Sequence, residues 1–256
     1  MDIFDWDVRT WSRAIDIWEK EIDGEKHCLE IGANRGGLSL WLALNGHNVL
    51  CTDIDNPKER AAPIHSKHQV DHLINYAALD ILDLALQAEQ SPADSGHPNK
   101  LSRMQLGQSR IAKTADSSLE LYDLIIFKSV LGGISRDNNF SSAKEAIDNM
   151  HALLKPGGTL LFAENLRGSI LHRLARKLFV KWGNSWNYLT FSELEELFSN
   201  FDYVEIKATG FATAFAKGKK LNGLMNFFDN WIFNRIFGKG MKYVGYGRGK
   251  KTEKKS

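Results

Sequence analysis

Cys28-Leu-Glu-Ile-Gly-Ala-Asn-Arg-Gly-Gly-Leu-Ser-Leu-Trp-Leu-Ala43, followed by Val49-Leu-Cys-Thr-Asp-Ile-Asp55, reads as strand, glycine turn, helix, second strand and acid. That is the layout of a nucleoside-binding crevice: glycines let the backbone approach the ligand, and a carboxylate at the second strand's end meets a ribose. Gly32 and Asp53 are 21 positions apart, close to the roughly 20 expected between such a turn and its ribose acid.

The turn separates two ligands. A dinucleotide site uses Gly-x-Gly-x-x-Gly, because a pyrophosphate presses on the turn and the helix N-terminus. Here the run is Gly32-Ala-Asn-Arg-Gly36-Gly37, with Asn34 and Arg35 where the middle glycine belongs. Glu30 stands two residues before Gly32. Its charge repels a pyrophosphate and attracts a cation. S-adenosylmethionine, with a sulfonium, an ammonium and no phosphate, fits this pattern. A bare βαβ turn, or one holding a nucleotide, is the alternative.

Outward from this stretch, residues 8–22 carry Trp11, Ile15, Trp18 and Ile22 at helical spacing. Helices are expected at 38–44, 57–75, 141–154, 166–179 (basic on one side), 190–199 and within 217–240. Strands are expected at 28–31, 49–52, 77–79, 121–127, 159–163, 203–208 and 242–247. Thr190 with Glu193 forms a capping-box pattern. Lys155-Pro-Gly-Gly158 reads as a sharp turn. The alternation of strand and helix predicts an α/β fold with a doubly wound parallel sheet. We expect one domain over 1–256, with a polar surface insertion at 87–118, an aromatic-rich helical insertion at 217–240 and a basic tail at 248–256.

Ligands of such sheets sit at the carboxyl ends of the strands. Asp53 ends the second strand and is preferred to Asp55. Asp80 ends the third, either facing a base or capping a helix. Lys128 ends the fourth, and either touches an anionic group or caps the strand. Gly132-Gly133 behind it permits close approach or a mobile loop. Glu164 ends the fifth and is the best-placed base for a hydroxyl acceptor, with His172 second; a structural role is open for each. His65, His68 and His72 fall on one face of the 57–75 helix, a spacing that permits a metal but more simply marks an exposed face. No metal is expected.

With these residues in hand, the chain resembles class I S-adenosylmethionine-dependent methyltransferases over 8–85 and 119–250. Residues 29–41, Phe127-Lys-Ser-Val-Leu-Gly-Gly-Ile134 and 154–166 carry the likeness. It is similar to a bacterial subgroup associated with surface polysaccharide and lipopolysaccharide biosynthesis. The resemblance implies a Rossmann-like seven-stranded sheet, mostly parallel, with an antiparallel last strand. It implies that Gly32, Asn34 and Gly36 line the cofactor, with Glu30 near its amino-acid end. Asp53 would hold the ribose, with Ile54 beside it, Asp80 the adenine amino group and Ile81 the ring, with Lys128 at the margin. Asn34 departs from the glycine common there.

The length of 256 residues suits one decorated domain, and the net charge of +2 does not argue for nucleic acid. Two cysteines in predicted strands read as buried apolar residues. No signal peptide or membrane-spanning run is recognisable, so a cytoplasmic protein is expected. The segment 182–188, with Trp182, Trp186 and Tyr188, suits sugar stacking or a packed lid. Residues 217–240, flanked by lysines, suit a membrane interface, a cap on the sheet or a dimer contact; with the basic tail they could touch a membrane peripherally. The leading expectation is methyl transfer to a hydroxyl of a small-molecule or glycan acceptor. An RNA or protein methyltransferase and a non-catalytic binding module are the alternatives.

Overall fold

The computed structural model describes residues 3, 4, 7–83, 121–179, 186–216 and 219–252. The expected insertion at 87–118 lies outside the described residues, as do 182–185 of the aromatic segment. The strands are β1 (His27–Ile31), β2 (Asn48–Asp53), β3 (Ile74–Ala78), β4 (Tyr122–Lys128), β5 (Leu154–Asn165), β6 (Tyr203–Thr209) and β7 (Val244–Lys250). They form one sheet in the order β3-β2-β1-β4-β5-β7-β6. Only β7 runs against the others, inserted between β5 and β6 and antiparallel to both. The seven-stranded, mostly parallel sheet with a reversed last strand is therefore as expected.

Strand alternation sorts the core into two layers. Cys28, Leu124, Ile126, Leu161 and Ala163 face one side, where they meet Trp18 and Trp41. Their neighbours Leu29, Ile31, Ile125, Phe127, Leu160 and Phe162 face the other, against Ile147, Met150, Leu194 and Phe198. Both faces are covered, so the central strands carry apolar residues at successive positions. Cys28 and Cys51 are fully buried, as expected. The first layer is roofed by α1 (Val8–Trp11) and α2 (Ile15–Trp18), joined and followed by 3-10 turns. It also holds α3 (Gly37–Leu44). The helices α4 (Lys58–Lys67), α5 (Leu131–Ile134), α6 (Phe140–Leu153), α7 (Ile170–Phe179) and α8 (Phe191–Leu197) complete the crossovers.

Several boundaries differ from expectation, each for a local reason. The helix expected over 57–75 ends at Lys67, because Gln69 takes φ 59° and a separate 3-10 turn follows at Asp71–Leu73. His65, His68 and His72 therefore do not share one helix face. The Lys155-Pro-Gly-Gly158 turn is a bulge within β5: Tyr122 pairs with Leu154 and Leu124 with Thr159. The helix expected from 166 begins at Ile170, after Gly168. Within the expected 217–240 helical insertion, residues 219–236 form α9 (Lys219–Phe228), a π-helical turn at Asp229–Phe233 and α10 (Asn234–Ile236). The π-turn brings buried Asp229 under the backbone N–H groups of Phe211, Ala212 and Thr213, at 2.8 to 3.0 Å.

The expected basic tail starts too early. Residues 248–250 belong to β7. Arg248 pairs with Glu21 and Glu205, and Lys250 pairs with Glu21 at 2.9 Å. Lys251 donates to the carbonyls of His151 and Leu154. These cations tie β7 and the residue after it to the first helical run, to β6 and to the start of β5, and are not a solvated end.

Candidate functional site

The site forms where β1 and β2 end and the chain turns. Gly32 and Gly36 both adopt positive φ, 68° and 71°. A side chain at Gly32 would collide with Val130, and one at Gly36 with the His65 ring and Ala61. Asn34 has φ 49°, in the left-handed region that asparagine tolerates better than other side chains. That explains how the turn keeps its shape without the usual glycine. His65 braces it from outside. Its Nε2 donates to the Gly36 carbonyl at 2.8 Å, leaving Nδ1 to accept from the Tyr76 hydroxyl at 2.7 Å.

Asp53 closes the other wall. One carboxylate oxygen accepts from the Asn34 N–H at 2.8 Å and the other from the Ile54 N–H at 2.9 Å. Arg60 lies 3.4 Å away and makes its shorter contacts with Asp55, at 2.7 and 2.8 Å. Asp55 is thus occupied by a cation on the outer surface, while Asp53 faces the turn. Ile54 is 76% exposed beside it. Asp80 lies two residues beyond the end of β3, with Oδ1 accepting from Leu82 N–H at 3.0 Å, which makes it a turn-former. Ile81, expected against a ring, instead packs its side chain into the second core layer.

Glu30 alternates onto the first core face, where it is almost wholly enclosed. Its Oε2 accepts from the Ser39 N–H at 2.8 Å and from the Ser39 hydroxyl. A strand carboxylate therefore satisfies an orphan donor in the first turn of α3. Burial pushes its pKa up to about 7 from 4.5. The folded state then holds the proton more tightly than the unfolded chain. The resulting stabilisation is complete below about pH 4.5 and is lost as pH rises through 7. Glu30→Gln removes this titration. Between pH 5 and pH 8 the wild type should lose on the order of 2 kcal/mol relative to the variant in urea unfolding. A gap that stays constant across that range contradicts the assignment.

Between these elements lies a cavity of about 150 Å³ lined by Glu30, Gly32, Arg35, Leu38, Lys128 and Ser129 and roofed by Ile3. The Ile3 backbone rests on Gly37, where a side chain would not fit. Lys128 lies over the Trp11 ring at 4.7 Å. Ser129 turns the chain with φ 55°.

Neither candidate base presents a free group. Glu164 is fully buried. Its Oε2 accepts from the N–H groups of Val130 and Leu131 and its Oε1 from Asn165 N–H, all at 2.9 Å. It anchors the start of α5, although burial also raises its pKa to about 7. His172 is buried, with Nδ1 accepting from the Ser169 N–H at 3.1 Å and Nε2 donating to the Phe211 carbonyl at 2.9 Å. Burial lowers its pKa to about 4. Both ring nitrogens are committed, so the expected role as a base is replaced by a link between the 169–172 and 211–215 segments. Gly132 and Gly133 admit the Trp186 indole. Asn187 N–H then donates to the Gly132 carbonyl at 3.0 Å.

Sequence reasoning missed the His65 brace, the Ile3 roof and a basic cavity beyond β5, lined in part by Arg167, Arg173, Arg176, Lys177 and Tyr188. The basic side of the 166–179 helix was the one signal for the last.

Comparison with known proteins bears on this geometry. A family profile described as a methyltransferase domain matches residues 7–208. The highly reducing polyketide synthase sor1 of Hypocrea jecorina (strain QM6a) is 30% identical over 175 residues, 64% of this chain. The chain spans only 5% of that relative's length. The N-methyltransferase NodS from Bradyrhizobium japonicum WM9, solved with S-adenosylhomocysteine, superposes with a TM-score of 0.52 at 18% identity, covering 98% of this chain and 95% of that one. An O-methyltransferase family protein from Burkholderia thailandensis gives a TM-score of 0.60 at 10% identity, over 97% of this chain and 58% of that one. Phosphoethanolamine N-methyltransferase 2 from Haemonchus contortus, solved with S-adenosylmethionine, gives 0.56 at 13% identity, over 98% and 56%. At these identities the likeness is one of fold.

Proposed function

The chain belongs to the methyltransferase-domain family, and from that premise we propose that it carries a methyl group from S-adenosylmethionine to a hydroxyl of a small-molecule or glycan acceptor. The observation that carries the cofactor assignment is the pairing of Asp53 with the Asn34 turn. A carboxylate is held by two backbone N–H groups at the turn whose glycines, Gly32 and Gly36, let Val130 and His65 pack against it. A ribose diol needs such an acceptor.

Glu30, Gly32, Asn34, Gly36 and Asp53 would hold the cofactor, with Ile54 and Asp80 at the adenine end and Lys128 at the margin. Ile81 would support that end from the core. When bound, the cofactor supplies a methyl group activated on a positively charged sulfur. A cation beside Glu30 favours the ionised carboxylate, so binding draws its pKa back down. The protein's further contribution is alignment and exclusion of water. Glu164 serves this by fixing Val130 and Leu131, as a positioning residue.

We read the whole chain as one domain, working on the cytoplasmic side in surface polysaccharide or lipopolysaccharide assembly, as the sequence resemblance suggests. Among the described residues no helix is long and apolar enough to cross a membrane. Peripheral contact is supported by exposed Ile170, Leu171 and Leu174 on α7 and Leu224, Phe227 and Trp231 on the 219–233 segment. Arg173 and Lys177 share α7 with the first of these groups, and Lys220 shares the 219–233 segment with the second, the mixture of an interfacial helix.

Release of S-adenosylhomocysteine tests the reading. It is expected with hydroxyl-bearing glycans, faster when the glycan is lipid-linked in anionic vesicles than when it is free. Release only with RNA or protein acceptors would contradict the acceptor class.

A further inference from the structure

Beyond the carboxyl end of β5 the chain builds a second, larger cavity of about 540 Å³. Arg167 leaves β5, Arg173, Arg176 and Lys177 come from α7, and Asn187 and Tyr188 come from the segment before α8. Among the described residues that line it, Glu193 is the one acidic group. That carboxylate is already used: it accepts from the Thr190 N–H at 2.6 Å and the Thr190 hydroxyl at 2.9 Å, and meets Arg167 at 3.4 Å. Among the described residues, no carboxylate pairs with Arg173, Arg176 or Lys177.

Arg176 is held in place. Its guanidinium lies over the Tyr188 ring at 3.8 Å, and one Nη donates to the Arg167 carbonyl at 2.9 Å. That bond uses one of five guanidinium N–H donors, and the planar fork suits the oxygens of a phosphate. Flattening on an aromatic ring fixes the fork before a ligand arrives, which lowers the ordering cost of binding. Four cations against one occupied carboxylate leave a surplus suited to a dianion.

We propose that this cavity binds an anionic group of the methyl acceptor, a phosphate ester, with Arg176 as the oriented donor and Arg173 and Lys177 supplying charge. The proposal rests on the methyl-transfer reading above, whose acceptor it narrows. The cavity adjoins the segment Trp186–Tyr188, which packs on the loop after β4, so a group held here reaches toward the strand ends. Arg173 also borders a neighbouring groove of about 380 Å³ lined by Ile170, Leu171, Phe211 and Met241. An acceptor phosphate therefore has two sources, a soluble sugar phosphate or a phosphate carrying an apolar chain.

Calorimetry on the full chain, saturated with S-adenosylhomocysteine, tests this with glucose 1-phosphate and with dodecyl phosphate below its micellar concentration. Saturable binding of either supports the site, and the tighter of the two identifies the source. Arg176→Gln, and separately Arg173→Gln, should weaken it by about tenfold. Among the described residues the side chains of Arg173 and Lys177 make no hydrogen bond or ion pair, so Arg173→Gln and Lys177→Gln leave the fold intact if Arg176→Gln does not. No binding of either phosphate, or binding unchanged in Arg173→Gln and Lys177→Gln, overturns the proposal. Retained S-adenosylhomocysteine affinity in those experiments separates that failure from a failure of the methyl-transfer reading.

Discussion

Asp53→Ala is expected to weaken S-adenosylhomocysteine binding by about 100-fold while the protein stays folded. Hydrogen bonds to a charged group contribute about 1.5–3 kcal/mol each, and every 1.4 kcal/mol is tenfold. The carboxylate would serve the ribose diol on one side and the Asn34 and Ile54 N–H groups on the other. Its removal costs the direct bonds and also frees the turn that shapes the crevice. The side chain is 23% exposed and outside both core layers, so folding should tolerate the change. Asp53→Asn keeps one acceptor and should fall between wild type and alanine. Affinity within about threefold of wild type in Asp53→Ala would mean that the ribose lies elsewhere.

The second large effect falls on Gly36. Gly36→Ala is expected to destabilise the protein by about 2–5 kcal/mol, combining a left-handed backbone penalty with overpacking. An added Cβ would lie 2.6 Å from His65 Cε1 and 2.7 Å from Ala61 Cβ. Neither neighbour can retreat freely: His65 is bonded at both nitrogens and Ala61 is fully buried. Gly46→Ala is the control, since Gly46 has φ 83° but nothing within 4 Å of an added Cβ. It should cost only the backbone part, about 1–2 kcal/mol. Equal losses in the two variants, measured by urea unfolding, would show that the His65 brace is not tight.

The crevice was legible because its elements are contiguous in sequence. A strand, a turn needing positive φ, a helix and a second strand ending in acid fit within residues 27–53, and local rules govern each. The same applies to the Thr190–Glu193 capping box, which forms as read. Roles that depend on distant partners were not legible. Glu164 stands at a strand end, where an acid suggests catalysis, yet its oxygens are taken by the loop after β4. His172 looked available until Ser169 and Phe211 occupied its ring. Arg248 and Lys250 read as a basic tail because their partner Glu21 lies more than 200 residues earlier. The three histidines suggested one continuous helix face, which Gln69 interrupts with a left-handed residue. In the basic cavity, the cations of α7 were visible in the sequence, but the Tyr188 ring beneath Arg176 was not.

The crevice at the ends of β1 and β2 is the foundation of everything proposed for this chain, and titration calorimetry of the unmodified protein tests it most directly. S-adenosylhomocysteine should bind once per chain with saturable heat, and NAD should give none. Heat with NAD alone, or none with S-adenosylhomocysteine from protein shown to be folded by circular dichroism, would contradict it.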